Sequence, residues 1–500
     1  KTREFLNKIQ KVQYRLNPFT VSIAEVLEKQ EHEVGKFKPI IHLEVPPKPL
    51  DRDTNKEALR DWKDRANKVH TKNVNSFRVS CRTRMTLNVM KEFKDKVYWI
   101  PWSFDYRGRT YPIPSFLTPQ SDDFGKSLIR FARESEITED GKQWLAFHVA
   151  TTYGLDKATM DERKAWPFIP KNAALIKRVA TDPIGNIGDW EKADEPWQFA
   201  AACEEFYAVV VTNSRSTTGL PVATDATCSG MQVLAGLARD KSTASMVNVI
   251  PNDKPQDAYK VIAEKALPNI PERLRPHWDR KCTKRTVMTI PYNAKPFSNR
   301  SYIREALKEK GLEIDKEELT QTVQAVRDAM EEIFPGPMRV MRWIEKEVSR
   351  ALKNGATELS WVTPSGFRVT QRLMKMNVKR LNLQLLGRCQ ISVPSGERCV
   401  DASHHKNATA PNLIHSLDAS LLHISATKFN PPIALIHDSV LCRATDMSNL
   451  SHLVRDTYMH LFAEHDYLST FAESIGAETE PPMVDTLKPE SVIESTYFFC

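Results

Sequence analysis

Five hundred residues carrying 71 Lys and Arg against 63 Asp and Glu give a formal net charge of +8, with 41% hydrophobic and 27% charged residues. At ~150 residues per domain this length holds about three domains or subdomains with cores of their own, and the lack of any apolar run near ~18 residues excludes a membrane-spanning helix. Eight scattered cysteines without a Cys-x-x-Cys pair point to a reducing compartment, whereas the basic tilt alone does not separate a nucleic-acid partner from plain solubility.

To about residue 97 the pattern is helical, with Phe5, Leu6, Ile9 and Val12 and then Val21, Ile23, Val26 and Leu27 at helical spacing. Pro39, Pro46, Pro47 and Pro49 interrupt it with an extended connector. Residues 55–96 are helical again and strongly charged; Lys63, Arg65, Lys68, Lys72, Arg78, Arg82 and Arg84 form a basic surface for which a solvated helix face is the plainer reading. From Tyr98 short aromatic segments begin a strand-rich element through residues 99–109. Residues 255–350 return to long helical patterns, and residues 359–400 alternate like strands, with turns expected at 364–366 and 394–396. Cys389, Cys399, His404 and His405 fall together near there, but their spacing fits no standard zinc finger and a hairpin with incidental thiols is simpler. Ile433 to Ile436 then form an apolar strand that delivers Asp438. No internal repeat is present, which excludes solenoids and propellers.

Three segments carry chemistry. In residues 219–232 a short apolar strand ends at Asp225, and a small-residue turn leads into a helical run at 231–237. A carboxylate so exposed is placed to hold a hard cation, although a helix-capping Asp is the plainer reading of this segment alone. In residues 280–293 Arg280, Lys284, Met288 and Tyr292 fall at i, i+4, i+8 and i+12, which on one helix lines two cations and an aromatic along a face able to hold a triphosphate at one end and a base or sugar at the other. A basic surface helix with Tyr292 in the core is the bland alternative. Asp438, ending the strand 433–436, supplies a second carboxylate far from the first in sequence. Two such carboxylates are what a two-metal phosphoryl-transfer site needs, since cations ~3.5–4 Å apart must share ligands.

In this order the motifs resemble those of the bacteriophage single-subunit DNA-directed RNA polymerases of the T-odd phages, to which the mitochondrial RNA polymerases are also related. Residues 225–230 (DATCSG) and 437–439 (HDS) resemble the two catalytic-aspartate motifs and 280–292 the nucleotide-binding fingers helix. Residues 105–111 (DYRGRTY), 361–367 (WVTPSGF) and 410–416 (APNLIHS) resemble three more family motifs, so the match covers nearly the whole chain. The resemblance implies a mostly helical α+β right-hand polymerase fold with a thumb at 1–97, palm at 98–241 and 416–500, and fingers at 242–415. It implies addition of ribonucleotides to an RNA 3′ end on a DNA template, with release of pyrophosphate, for transcription of phage genes. Two Mg2+ would be held by Asp225 and Asp438. Arg280 and Lys284 would meet the incoming triphosphate, Lys284 as part of the catalytic set, and Tyr292 and His415 the ribose. Arg107 and Arg109 would bind the nucleic-acid backbone, and a promoter-reading hairpin near 388–400 would offer Arg388 and Arg398 to bases. Implied partners are double-stranded DNA template and promoter, nascent RNA and NTPs, with a monomeric enzyme in the cytoplasm of an infected bacterial host and no membrane.

The chain departs from the family pattern at Ala226, Asn293 and Ala419, where glycine is usual, which suggests a divergent branch such as a cyanophage one. Pro291 is expected to kink the end of the 280–292 helix, and Asn293 to take the left-handed conformation in place of glycine. A DNA polymerase of the related single-chain class is the main rival. That class places a Glu five residues after the first aspartate as a gate against the 2′-hydroxyl, and a tyrosine directly after that aspartate. Here the gate position is Gly230, which leaves room for the hydroxyl, and no tyrosine follows Asp225. A non-catalytic nucleic-acid binder leaves both aspartates without purpose, and no exonuclease-like carboxylate cluster supports a nuclease. Since thumb-like helices begin almost at Lys1, the expectation is a core fragment of a longer polymerase that extends primers on opened templates but initiates poorly on closed duplex.

Overall fold

The computed structural model describes residues 1–50, 54–384 and 389–499; its helices far outnumber its strands, as expected for a mostly helical α+β chain. The sheet that matters for chemistry has three antiparallel strands in the order Ile433–Ile436, Ser439–Arg443, Pro221–Thr224. Leu435 faces Val440, Ile436 faces Ser439, and Val440 faces Thr224 across the ladder. That register sends Asp225 and the two-residue turn His437-Asp438 out of the same end of the sheet. The turn is tight because His437 takes a left-handed φ of 55°.

Helices cover the rest of this sheet's surroundings. Glu139–Tyr153 and Pro196–Phe206 are buried on nearly every side, which is why no amphipathic stripe announced them in the sequence. Phe37, Phe124 and Trp197 pack their rings at 4.6–5.0 Å between centroids within the same core.

The first 97 residues are not helical throughout. Gln13–Leu16 is a strand, antiparallel to Tyr98–Trp99 on one side and Ile129–Phe131 on the other, with Tyr14 and Leu16 buried and Gln13 exposed. Two-residue alternation there outweighs the helical spacing of its neighbours. The flanking helices therefore belong to the main body, and Phe5 stacks on His423 at 4.3 Å. By contrast Lys56–Val79 buries only Ala66 and stands out as an arm. The Pro-rich connector is extended, as expected, and runs along that arm: the Trp62 indole donates to Pro46 O at 2.6 Å, and Asn73 exchanges two bonds of 2.9 Å with the Leu43 backbone.

The turn expected at 364–366 joins the strands Leu359–Val362 and Arg368–Gln371, with Gly366 at φ 84°. The one expected at 394–396 is a bulge within a longer hairpin, Met374–Leu383 against Cys389–Val400, where the register slips between Met376 and Val378. The described part of the expected segment 388–400, residues 389–400, is thus one strand of that hairpin. Among the described residues no group of metal-ligating side chains forms a zinc site; His405 is occupied by Gln371 and the Leu373 backbone at 3.0 Å each.

One buried ion pair ties three parts of this body together. Arg130 donates to both oxygens of Glu205, at 2.5 and 3.2 Å, and Thr218 donates to Glu205 at 2.6 Å, with Arg130 and Glu205 essentially excluded from solvent. Arg130→Met leaves the Glu205 carboxylate short of its main partner in a dry site and is expected to cost about 3–5 kcal/mol of stability, read as a lower denaturant midpoint.

Candidate active site

At the shared end of the sheet each carboxylate is braced by a serine that belongs to the other's segment. Ser439 Oγ donates to Asp225 Oδ1 at 2.7 Å, and Ser229 Oγ donates to Asp438 Oδ2 at 2.6 Å. Asp225 is exposed to solvent at the mouth of a crowded cleft. Desolvation, and next the charge of Asp438, push its pKa up to about 6; the Ser439 and Ala226 hydrogen bonds and the Lys126 charge oppose them. Lys126, Cys228, Tyr259, Asp257 and Arg280 line this cleft beside Asp225. Burial pushes the Cys228 thiol up to about 11, so it stays protonated.

The segment 280–292 is shorter as a helix than its spacing suggested. The helix is Arg280–Met288, with Cys282, Thr283, Thr286 and Val287 buried and Lys284 and Met288 on the exposed side. It stops before Pro291, so Pro291 does not kink it; Tyr292 sits in the following turn, where Tyr292 N donates to Thr289 O at 3.1 Å and Asn293 N to Ile290 O at 2.8 Å. A proline disfavours helix in the residue before it and has no N–H to give, which fixes the stop. Asn293 has the expected left-handed φ, 58°. Arg280 is paired with Asp257 and lies over the Tyr259 ring at 5.2 Å. Lys284 makes no ion pair among the described residues.

Tyr292 and His415 are brought together, ring centroids 4.9 Å apart. Arg107 Nη1 lies 2.8 Å from His415 Nδ1. Since a guanidinium can only donate, that ring nitrogen accepts and Nε2 carries the hydrogen. Burial, then Arg109 and Arg107, drive the His415 pKa down to about 2, so the ring is neutral. Arg107 is held in turn by Asp105, at 2.8 and 2.6 Å.

Three of the expected site residues sit in closer surroundings than the sequence suggests. Arg109 is 9% exposed and pairs with Asp418 through Nε and Nη2. Arg107 is likewise turned to Asp105 and His415. Gly230 does not border an open notch: a Cβ there would lie 2.8 Å from Pro291 Cβ, so the space it leaves is filled by Pro291. Arg388 lies outside the described residues. Arg398 is exposed on the hairpin strand, opposite Met376.

Sequence reasoning missed Ser229, Ser439, Lys126, Asp257 and Asp418. The two serines sit within four residues of the aspartates, and only the strand register reveals that they cross over. Asp418 lies one turn beyond His415 on the helix Ala402–Lys428; burial pushes its pKa up to about 7 against the pull of Arg109.

The donor set can be tested against a cation. Two carboxylates, with no third ligating side chain placed to share an ion with them among the described residues, suit a hard ion that keeps most of its waters and completes its shell from a substrate phosphate. A carboxyl raised above its unfolded value of about 4 favours the folded state only while protonated, so metal-free protein loses stability as pH rises from about 4 towards 6. Cation binding runs the other way, because it needs the ionised form. The affinity for a divalent cation, followed by calorimetric titration, is expected to fall about tenfold per pH unit below about pH 6 and to level off above it; Asp225→Asn should remove that step.

A family profile described as DNA-dependent RNA polymerase matches residues 135–497. The DNA-directed RNA polymerase of Enterobacteria phage T3 is 29% identical, over 97% of this chain and 62% of its own length. The T7 RNA polymerase of Escherichia phage T7 is 29% identical, over 96% of this chain and 61% of its own. The chloroplastic DNA-directed RNA polymerase 3 of Nicotiana sylvestris is 28% identical, over 99% and 53%. The chain therefore spans between half and two thirds of the length of these relatives.

Proposed function

The chain belongs to the DNA-dependent RNA polymerase family, whose right-hand plan its mostly helical α+β architecture follows, and from that premise we propose that it adds ribonucleotides to an RNA 3′ end on a DNA template. The observation that carries this reading is the pair Asp225 and Asp438, held at one sheet end and cross-braced by Ser439 and Ser229. Two Mg2+ bound there would activate the 3′ hydroxyl and neutralise charge on the triphosphate. The residues divide the remaining work. Asp225 and Asp438 hold the cations. Arg280 faces the same cleft and, on exchanging Asp257 for a phosphate, grips the triphosphate with Lys284 one turn along. Tyr292 offers a hydroxyl, and neutral His415 an Nε2–H, to the ribose. Arg107 serves that site by fixing the His415 tautomer.

The same reading assigns palm to 98–241 and 416–500 and fingers to 242–415, and narrows the thumb expected at 1–97 to the arm Lys56–Val79, since the residues before the connector pack on the main body. Promoter contact falls to the hairpin Met374–Leu383 and Cys389–Val400, where Arg398 is joined by Arg380, Asn382, Gln390 and Ser392 on its polar face. Partners are duplex template, nascent RNA and NTPs, and the setting is a monomer in the cytoplasm of a phage-infected bacterium. Among the described residues no helix is long and apolar enough to cross a membrane.

Asp225→Ala and Asp438→Ala are expected to reduce Mg2+-dependent extension of an RNA primer to background while leaving template binding within about twofold, because phosphate contacts come from Lys and Arg elsewhere. Substantial extension by either variant contradicts the assignment. Tyr292→Phe removes one polar partner of the ribose and keeps the ring on His415. Its preference for NTP over dNTP is expected to fall about tenfold in single-nucleotide kcat/KM. A wild-type enzyme preferring dNTPs points to the DNA polymerase reading.

A further inference from the structure

Tyr292 lies in a turn between the helices Arg280–Met288 and Pro296–Glu309, and a turn alone does not hold a ring still. Two attachments do. On one side Pro291 fills the space left by Gly230, on the helix that follows Asp225. On the other, Asn293 Nδ2 donates to the backbone carbonyl of Asn407 at 3.2 Å, and its Oδ1 accepts from Lys295 Nζ at 2.8 Å. Lys295 is also paired with Glu345, which lies 3.9 Å from Lys406.

The carbonyl that Asn293 reaches has a reason to be free. Asn407 is in the helix Ala402–Lys428, where its oxygen would ordinarily accept from the N–H four residues on. That residue is Pro411, which has no N–H and sits inside the helix. The gap in the helix ladder is thus filled by a side chain from the Tyr292 turn. The same helix carries His415 two turns further along, so the bond fixes Tyr292 relative to the imidazole it faces.

We propose that Asn293 is a positioning residue for sugar selection: by filling the ladder gap that Pro411 leaves at Asn407, it holds Tyr292 against His415 so that both present their polar groups to the ribose. This rests on the reading of Tyr292 and His415 as the ribose site. Glycine at 293 would keep the left-handed backbone and lose both side-chain bonds, which separates the tether from the backbone conformation.

The test is single-nucleotide incorporation on a primed template, with kcat and KM measured separately for CTP and dCTP. In Asn293→Gly the ratio of kcat/KM for CTP over dCTP is expected to fall about three- to tenfold, mainly through a higher KM for CTP. Pro411→Ala restores an N–H that competes for Asn407, so it should move the ratio in the same direction, and the double variant should go no further than Asn293→Gly alone. A ratio unchanged in Asn293→Gly, a parallel loss for both nucleotides, or an additive double variant overturns the proposal. Failure of the wild-type chain to incorporate CTP at all would instead overturn the polymerase reading beneath it.

Discussion

Two like charges held at one end of a three-stranded sheet are the constraint around which this structure is arranged. The register that sets Val440 against Thr224 leaves Asp225 and Asp438 no way to part, and the charge of Asp438 adds to burial in raising the cost of ionising Asp225. The serine cross-brace offsets some of that cost and also aims the carboxylates. What it does not supply is positive charge. Lys126 and Arg280 face the cleft, but Arg280 is already paired with Asp257, so the site is built to take cations from solution.

Around it, one helix gathers the remaining polar groups. Ala402–Lys428 is buried along most of its length, yet it carries His405, Asn412, His415, Asp418 and His423. Each has a partner from a neighbouring strand or loop: Gln371 for His405 and Asn412, Arg107 for His415, Arg109 for Asp418, and Thr110 at 3.3 Å for His423. Buried polar groups are tolerated only when satisfied. The segment 105–111 therefore acts as a clip that fixes this helix, with its two arginines paired to Asp418 and to Asp105 and His415.

Much of the site was legible in the sequence because its signals are local. An apolar strand running into a small-residue turn placed Asp225 at a strand end, and four apolar residues before His437 did the same for Asp438, but only the order of the motifs along the chain singled out the pair. The connector, the arm and the hairpin at 364–366 follow from proline, charge and glycine placement. Other features depend on partners distant in sequence. Arg109 looks like any exposed arginine until Asp418 is placed beside it. Gly230 looks like an opening until Pro291 fills it. The strand Gln13–Leu16 is too short to outvote the helical residues around it, and Glu139–Tyr153 is apolar on too many sides to show a period. The continuous helix expected through Tyr292 fails for a local reason that was in view: a proline preceding the tyrosine ends the helix instead of bending it.

The central claim is that Asp225 and Asp438 form one cation site. Replacing Mg2+ with Fe2+ and generating hydroxyl radicals at the bound iron cuts the backbone within a few ångströms of it, and the fragments locate the ion. The account predicts two cuts in the wild-type chain, near residues 224–229 and 436–440, both suppressed by excess Mg2+ and both lost in Asp225→Asn. Cutting at only one of these segments, or elsewhere in the chain, would contradict it.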